Sequence, residues 1–183
     1  MINFTDILTA AYYTVPIYLA NMAPVITKKL LPSLAKPMDF GKTWKGKPIL
    51  GSHKTFRGLI FGIIFGTLAA LAQCMLYKNG IFRSVSVFDY TLYSSILLGA
   101  LMGFGAIFGD ALKSFFKRRA NVKPGKPWIP FDEIDFIVGG LLFSMIIFFP
   151  PVKCMIITLV VSPLGHIIVN HIAFYLKIRK EKW

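Results

Sequence analysis

The chain is predicted to be an all-α integral membrane protein: five transmembrane helices, the N-terminus outside, and two long cytoplasmic loops. Three observations predict this. Of its 183 residues, 55% are hydrophobic and only 16% are charged, against about 25% charged in soluble domains. Five stretches carry no formal charge, at residues 7–27, 58–77, 90–109, 136–152 and 154–176. Each has the roughly 17–25 residues that cross a hydrocarbon core. Lys and Arg also alternate between the two sides of such a topology. Segments 28–57, 113–135 and 177–183 hold eight, six and four, eighteen in all. The segments between them, on the opposite side, hold none, two and one. By the positive-inside rule the rich segments are cytoplasmic. The same bias accounts for most of the net charge of +13, so no nucleic-acid partner is expected. Cys74 and Cys154 lie in apolar runs and read as buried thiols. One membrane-embedded domain, 1–183, is expected.

The first span, 7–27, has no basic segment before it and is interrupted by Pro16, Asn21 and Pro24, unlike a cleavable signal. The loop 28–57 ends in Gly51-Ser52-His53-Lys54-Thr55-Phe56-Arg57-Gly58, where the second span (58–77) begins. Glycines, hydroxyls and cations at a helix N-terminus suit a phosphate, although P-loop spacing is absent. The alternative is that these cations serve topology alone.

The third span runs from 90 to about 112, and Asp110 closes its apolar part. Lys113, Ser114, Lys117 and Arg118 follow at offsets of 3, 4, 7 and 8, which is one helical face. Residues 123–130, with Pro124, Gly125, Pro127 and Pro130, cannot continue a helix and turn the chain back. Asp132, Glu133 and Asp135 then open the fourth span, 136–152, with Asp132 and Asp135 on one side of its first turn. One carboxylate there would be an ordinary helix cap. Three acids facing Asp110 at the membrane surface suit magnesium, which takes one or two carboxylates and leaves its other positions to water and phosphates. In the fifth span, 154–176, Ser162, His166 and Asn170 recur every four residues, as lipid contacts or as interhelical hydrogen-bonding groups. No histidine is spaced to activate a serine or cysteine, so a hydrolase finds no support.

Together these segments resemble the CDP-archaeol synthase family, archaeal relatives of the CDP-diacylglycerol synthases, nearly end to end. The resemblance rests on Asn21-x-x-Pro24, Pro37-x-Asp39-Phe40-Gly41-Lys42 and Leu50-Gly51-x-x-Lys54-Thr55-x-Arg57-Gly58. It continues through Gly109-Asp110, Ser114-Phe115-x-Lys117-Arg118-Arg119, Pro130-x-Asp132-x-x-Asp135-Phe136, and His166-x-x-x-Asn170 with the basic tail. The Pro-Gly-His-Gly-Gly run of the bacterial branch is replaced by Pro127-Trp128-Ile129-Pro130, and Glu133 stands where the archaeal family usually has Gln.

The resemblance implies a multi-pass cell-membrane cytidylyltransferase with its active site on the cytoplasmic side. Its substrates would be CTP and an isoprenoid ether lipid phosphate, 2,3-bis-(O-geranylgeranyl)-sn-glycerol 1-phosphate. Its products would be CDP-archaeol and pyrophosphate, with Mg2+ as cofactor. Asp110, Asp132 and Asp135 are the expected metal ligands and, with Lys117, the expected catalytic set. Lys54, Thr55, Arg57, Lys113, Ser114 and Arg118 are expected to hold nucleotide phosphates. Asn21, His166 and Asn170 are expected polar residues for lipid or for structure. The alternatives are a CDP-diacylglycerol synthase-like enzyme with another lipid phosphate, a CTP-dependent polyprenol kinase, and a non-enzymatic transporter. The clustering of acids at one interface, without an internal repeat, weighs against the last.

Overall fold

The computed structural model describes residues 1–123 and 126–175. The side chains of His166 and Asn170, and the basic tail beyond Tyr175, lie outside the described residues. Among the described residues five α-helices run in the order α1 (Phe4–Ile26), α2 (Phe56–Lys78), α3 (Leu92–Arg119), α4 (Phe131–Ser144) and α5 (Val152–Tyr175). A two-residue hairpin, β1 (Thr43–Trp44) with β2 (Lys47–Pro48), sits in the α1–α2 loop. Among the described residues α2 and α3 are long and apolar enough to cross a membrane.

Asn3 and Asp6 close a capping box at the start of α1. The helix then runs unbroken through Pro16 and Pro24. Pro16 has no N–H for the carbonyl of Tyr12, four residues back. Gln73 of α2 fills that gap, donating from Nε2 to Tyr12 O at 2.5 Å. A neighbouring helix thus satisfies the freed carbonyl where water is absent.

Glycine sets how closely the central helices approach. Gly62 and Gly66 of α2 face Gly99 and Gly103 of α3, and a Cβ on Gly66 would lie 2.9 Å from Gly103 Cα. A second face of α3, Gly105 and Gly109, meets Gly139 of α4 backbone to backbone. Small residues four apart are the usual device for close packing in lipid. Gly109 faces the carbonyl of Asp135, which places the next residue, Asp110, beside the start of α4. Leu98, Met102, Ala106, Ile17, Phe136 and Ile137 fill the space between helices. Outward-facing residues such as Ile60, Ile64 and Leu68 form an apolar stripe on α2.

At one end of the bundle Lys153 pairs with Asp6 at 2.5 Å, and Tyr12 packs on Phe82 of the α2–α3 link. At the other end lie the long α1–α2 loop and the α3–α4 link. α4 corrects the expected span 136–152. It is 14 residues long, about 21 Å at 1.5 Å per residue, so its helical part is shorter than a hydrocarbon core of about 30 Å. The helix starts earlier, at Phe131, and loosens after Ser144. Ser144 Oγ folds back onto Leu141 O at 2.7 Å, and Phe149 precedes Pro150, which disfavours helical backbone. The fifth helix accordingly begins at Val152, two residues earlier than expected.

Candidate active site

α3 has 28 residues, about 42 Å, so it exceeds a hydrocarbon core of about 30 Å. Asp110 and Lys113 pair at 3.1 Å along the helix, and Lys117, Arg118 and Arg119 suit the negative end of its dipole.

Lys113 organises the site. Its Nζ lies 3.1 Å from Asp110 Oδ1, 2.9 Å from Asp132 Oδ1 and 2.8 Å from Asp135 Oδ2. Three carboxylates from two helices thus converge on one ammonium. Lys54, from the α1–α2 loop, forms a second ion pair with Asp110. Lys117 donates to both oxygens of Asp132, at 3.0 and 2.9 Å, and to the carbonyl of Lys126 at 2.7 Å. Asp132 also accepts from Trp128 N at 2.6 Å. The cap of α4 is Pro130, with no side-chain cap bond, so Asp132 serves the cluster rather than its helix end. Glu133, by contrast, is buried and its Oε2 has no hydrogen-bond partner.

In front of these carboxylates opens a cleft of about 150 Å3, walled by loop residues 50–54 and by Lys113, Ser114, Lys117 and Arg118 of α3. At about 30 Å3 per water in the liquid, it has room for about five waters. Among the described residues no acid lines it. Its surface offers the cations Lys54, Lys113, Lys117 and Arg118 and the hydroxyls of Ser52 and Ser114. A cationic cleft backed by buried carboxylates is chemically an anion site.

The structure therefore brings together Asp110, Asp132, Asp135, Lys54, Lys113, Ser114, Lys117 and Arg118. Two expected phosphate ligands face elsewhere. Thr55 caps α2 through Gly58 N at 3.2 Å, and Arg57 Nη1 donates to Leu30 O at 3.0 Å. Asn21 is half-buried on α1. Ser162 accepts from the Tyr18 hydroxyl at 2.8 Å, so this member of the α5 stripe does join two helices.

Two residues to which no role was given from sequence shape the loop wall. Asp39 accepts from Gly41 N, Leu50 N and Gly51 N at 3.0, 2.8 and 3.0 Å. Burial alone would raise its pKa, but the backbone donors outweigh it and hold the carboxyl below the usual carboxylate range. Arg119 grips the hairpin from the end of α3. Their signals were a charge within a Gly-rich loop and a third consecutive cation, neither of them specific.

Among the described residues no three acidic, Cys or His side chains surround an open position, because Lys113 Nζ occupies the point of convergence. The donor set nevertheless fits a hard cation, which prefers carboxylate oxygens. Asp135 Oδ2 is buried and has no hydrogen-bond partner beyond its contact with that ammonium.

Apolar helices packed through glycine, with a cationic cleft at the end of the longest of them, define a membrane protein with a site for an anionic group. Over residues 1–183 the chain matches the family described as "CarS-like: CDP-archaeol synthase". It is 36% identical to the CDP-archaeol synthase of Methanocaldococcus jannaschii over 173 residues, covering 94% of each chain. It is 35% identical to that of Pyrococcus furiosus, covering 97% of this chain and 98% of the relative. A solved structure described as an intramembrane enzyme for archaeal membrane lipids biosynthesis superposes with a TM-score of 0.73 and 25% identity, over 90% of this chain and 94% of that one. The chain belongs to the CDP-archaeol synthase family.

Proposed function

We propose that the chain transfers the cytidylyl group of CTP to 2,3-bis-(O-geranylgeranyl)-sn-glycerol 1-phosphate, giving CDP-archaeol and pyrophosphate. The observation that carries this reading is the cleft of Lys54, Lys113, Lys117 and Arg118, backed by Asp110, Asp132 and Asp135. An oxygen of the lipid phosphate attacks the α-phosphorus of CTP, and the bond to the β-phosphate breaks. The attacking phosphate monoester is already ionised near neutrality, its second pKa being about 6, so no general base is required. The work left to the protein is alignment and neutralisation of charge. Lys54 and Arg118 face the cleft from opposite walls and are placed to hold the triphosphate. Lys117, its three donors taken by Asp132 and the Lys126 carbonyl, supplies a fixed positive charge towards the charge that develops on departing pyrophosphate.

Asp110, Asp132 and Asp135 would hold Mg2+, with the Lys113 ammonium turning from the carboxylates towards phosphate. When bound, the ion neutralises phosphate oxygens. The charge asymmetry of the loops supports five crossings of the cell membrane with this site on the cytoplasmic side, where CTP is available.

The experiment is purified protein with labelled CTP and candidate lipid phosphates or polyprenols, products being resolved chromatographically. A labelled CDP-lipid with pyrophosphate is expected. Release of CDP with a phosphorylated lipid alcohol would instead identify a kinase.

A further inference from the structure

The cleft has one rigid side and one that is held in place. Lys113, Ser114, Lys117 and Arg118 come from the continuous helix α3, whereas residues 50–54 come from a loop with little regular structure. That loop is gripped at two points. Arg119 donates from Nη1 to Trp44 O at 2.9 Å, and from Nη2 to Lys47 O at 3.2 Å and to Pro48 O. Its guanidinium lies 5.2 Å from the Trp44 ring and 4.9 Å from the Phe115 ring, and those two rings are themselves stacked at 5.6 Å. Immediately downstream, Asp39 takes the amides of Leu50 and Gly51. Only Ser52 and His53 separate this second grip from Lys54, which reaches Asp110.

We propose that Arg119 and Asp39 are positioning residues: they pin the α1–α2 loop to the end of α3 and so hold Lys54 over the phosphate cleft. This rests on the reading of the cleft as the CTP site. The guanidinium fork is what suits Arg119 to its task. It reaches three carbonyls of one hairpin at once from two nitrogens of a fixed planar fork and lies against two rings, a spread that the single nitrogen of an ammonium does not match. Both anchors grip backbone atoms of residues 44–51. Neither residue touches the cleft itself.

The test is a double-mutant cycle on CTP affinity, measured by calorimetry with the detergent-purified full chain at fixed magnesium. Lys54→Ala alone tests the cleft reading. If it binds CTP as the wild type does, that reading fails whatever Arg119 does. If it weakens binding, Arg119→Lys is expected to weaken CTP by at least about threefold, up to the loss seen for Lys54→Ala. Adding Arg119→Lys to Lys54→Ala should then cost little more, because the clamp acts through Lys54. Fully additive losses would overturn the proposal, since they would mean that Arg119 acts independently of Lys54. Unchanged affinity in Arg119→Lys would overturn it too. Asp39→Asn should reproduce the non-additivity. Limited trypsinolysis gives an independent measurement: cleavage at Lys42 and Lys45 should accelerate in Arg119→Lys while the helices stay protected. An unchanged cleavage rate would refute the clamp even if activity fell.

Discussion

Replacing Lys113 with methionine keeps the length of the side chain but removes the ammonium that touches Asp110, Asp132 and Asp135 together. Its three contacts are 3.1, 2.9 and 2.8 Å. At an effective dielectric constant of about 20, each is worth about 5 kcal/mol of gross attraction. Most of that offsets the cost of taking the charges out of water, and breaking one buried ion pair nets about 3–5 kcal/mol. With the Lys113 side chain only 13% exposed, this range applies. By the scaling of globular chains of this size, it corresponds to an unfolding midpoint about 6–20 °C lower. Removing the lysine leaves Lys54 on Asp110 and Lys117 on Asp132 but empties the point where the three carboxylates converge, which magnesium should fill. At a hundred times its Kd, the ion returns about 2.7 kcal/mol, or about 5–11 °C.

The assay is thermal unfolding of detergent-purified protein followed by tryptophan fluorescence, first in chelator and then across a magnesium titration. Lys113→Met should unfold well below the wild type in chelator, and magnesium should raise its midpoint more than it raises that of the wild type. A midpoint equal to wild type in chelator, with no response to magnesium, would refute both the balance of charge and the metal-site reading.

Other outcomes follow from the same geometry. Asp110→Asn and Asp132→Asn should abolish turnover while leaving the protein folded, as judged by helical circular dichroism, because Asn retains the shape but is a poor magnesium ligand. Near-normal turnover at saturating magnesium would reduce these carboxylates to structural partners of lysine. Lys54→Ala should weaken CTP by about 1.5–3 kcal/mol, the range for a hydrogen bond to a charged group. Arg57→Ala, whose guanidinium is turned to Leu30 O, should cost less; equal losses by calorimetry would place both in the CTP site. Gly139→Ala puts a Cβ 3.0 Å from Gly109 Cα and should cost about 1–3 kcal/mol by overpacking. Turnover should fall with it, and a variant as stable and active as wild type would show that α3 and α4 separate freely. A single cysteine at Lys45 should resist an impermeant reagent in right-side-out vesicles; rapid labelling would invert the topology.

The cluster was legible where local geometry alone decides it. Offsets of 3, 4, 7 and 8 from Asp110 place Lys113, Ser114, Lys117 and Arg118 on one helical face, and the structure puts all four on the cleft. The three-residue spacing of Asp132 and Asp135 likewise brings both to Lys113. What sequence spacing did not reveal was the tertiary approach. Nothing in the spacing of three acids shows that a lysine one turn beyond Asp110 sits among them. The end of α4 was hidden because Met145–Phe149 is as apolar as the helix before it, so the charge-free run outlasts the helical backbone. Thr55 and Arg57 share a composition that suits phosphate equally well, but one is used as the cap of α2 and the other as a loop tie. The glycines at 62, 66, 99, 103, 105 and 109 carry a readable signal, spacings of four within apolar helices.

Those glycines bear on the chemistry itself. α3 presents Gly99 and Gly103 to α2, Gly105 and Gly109 to α4, then Asp110 and Lys113 to the carboxylates, and finally Arg119 to the hairpin. One helix therefore fixes the depth of the site, the separation of its carboxylates and the position of its loop wall. Gly109 fixes the carboxylates most directly, because its contact with the Asp135 backbone leaves no room for a side chain between the helix bearing Asp110 and the helix bearing Asp132 and Asp135. Catalysis by alignment tolerates little displacement, and a shift of about 1 Å can cost on the order of a hundredfold in rate. A methyl group inserted between α3 and α4 in the bilayer forces a shift of that order at the carboxylates. The precision of the site thus originates in backbone contacts that contain no catalytic group, and the cationic loop supplies only its adjustable wall.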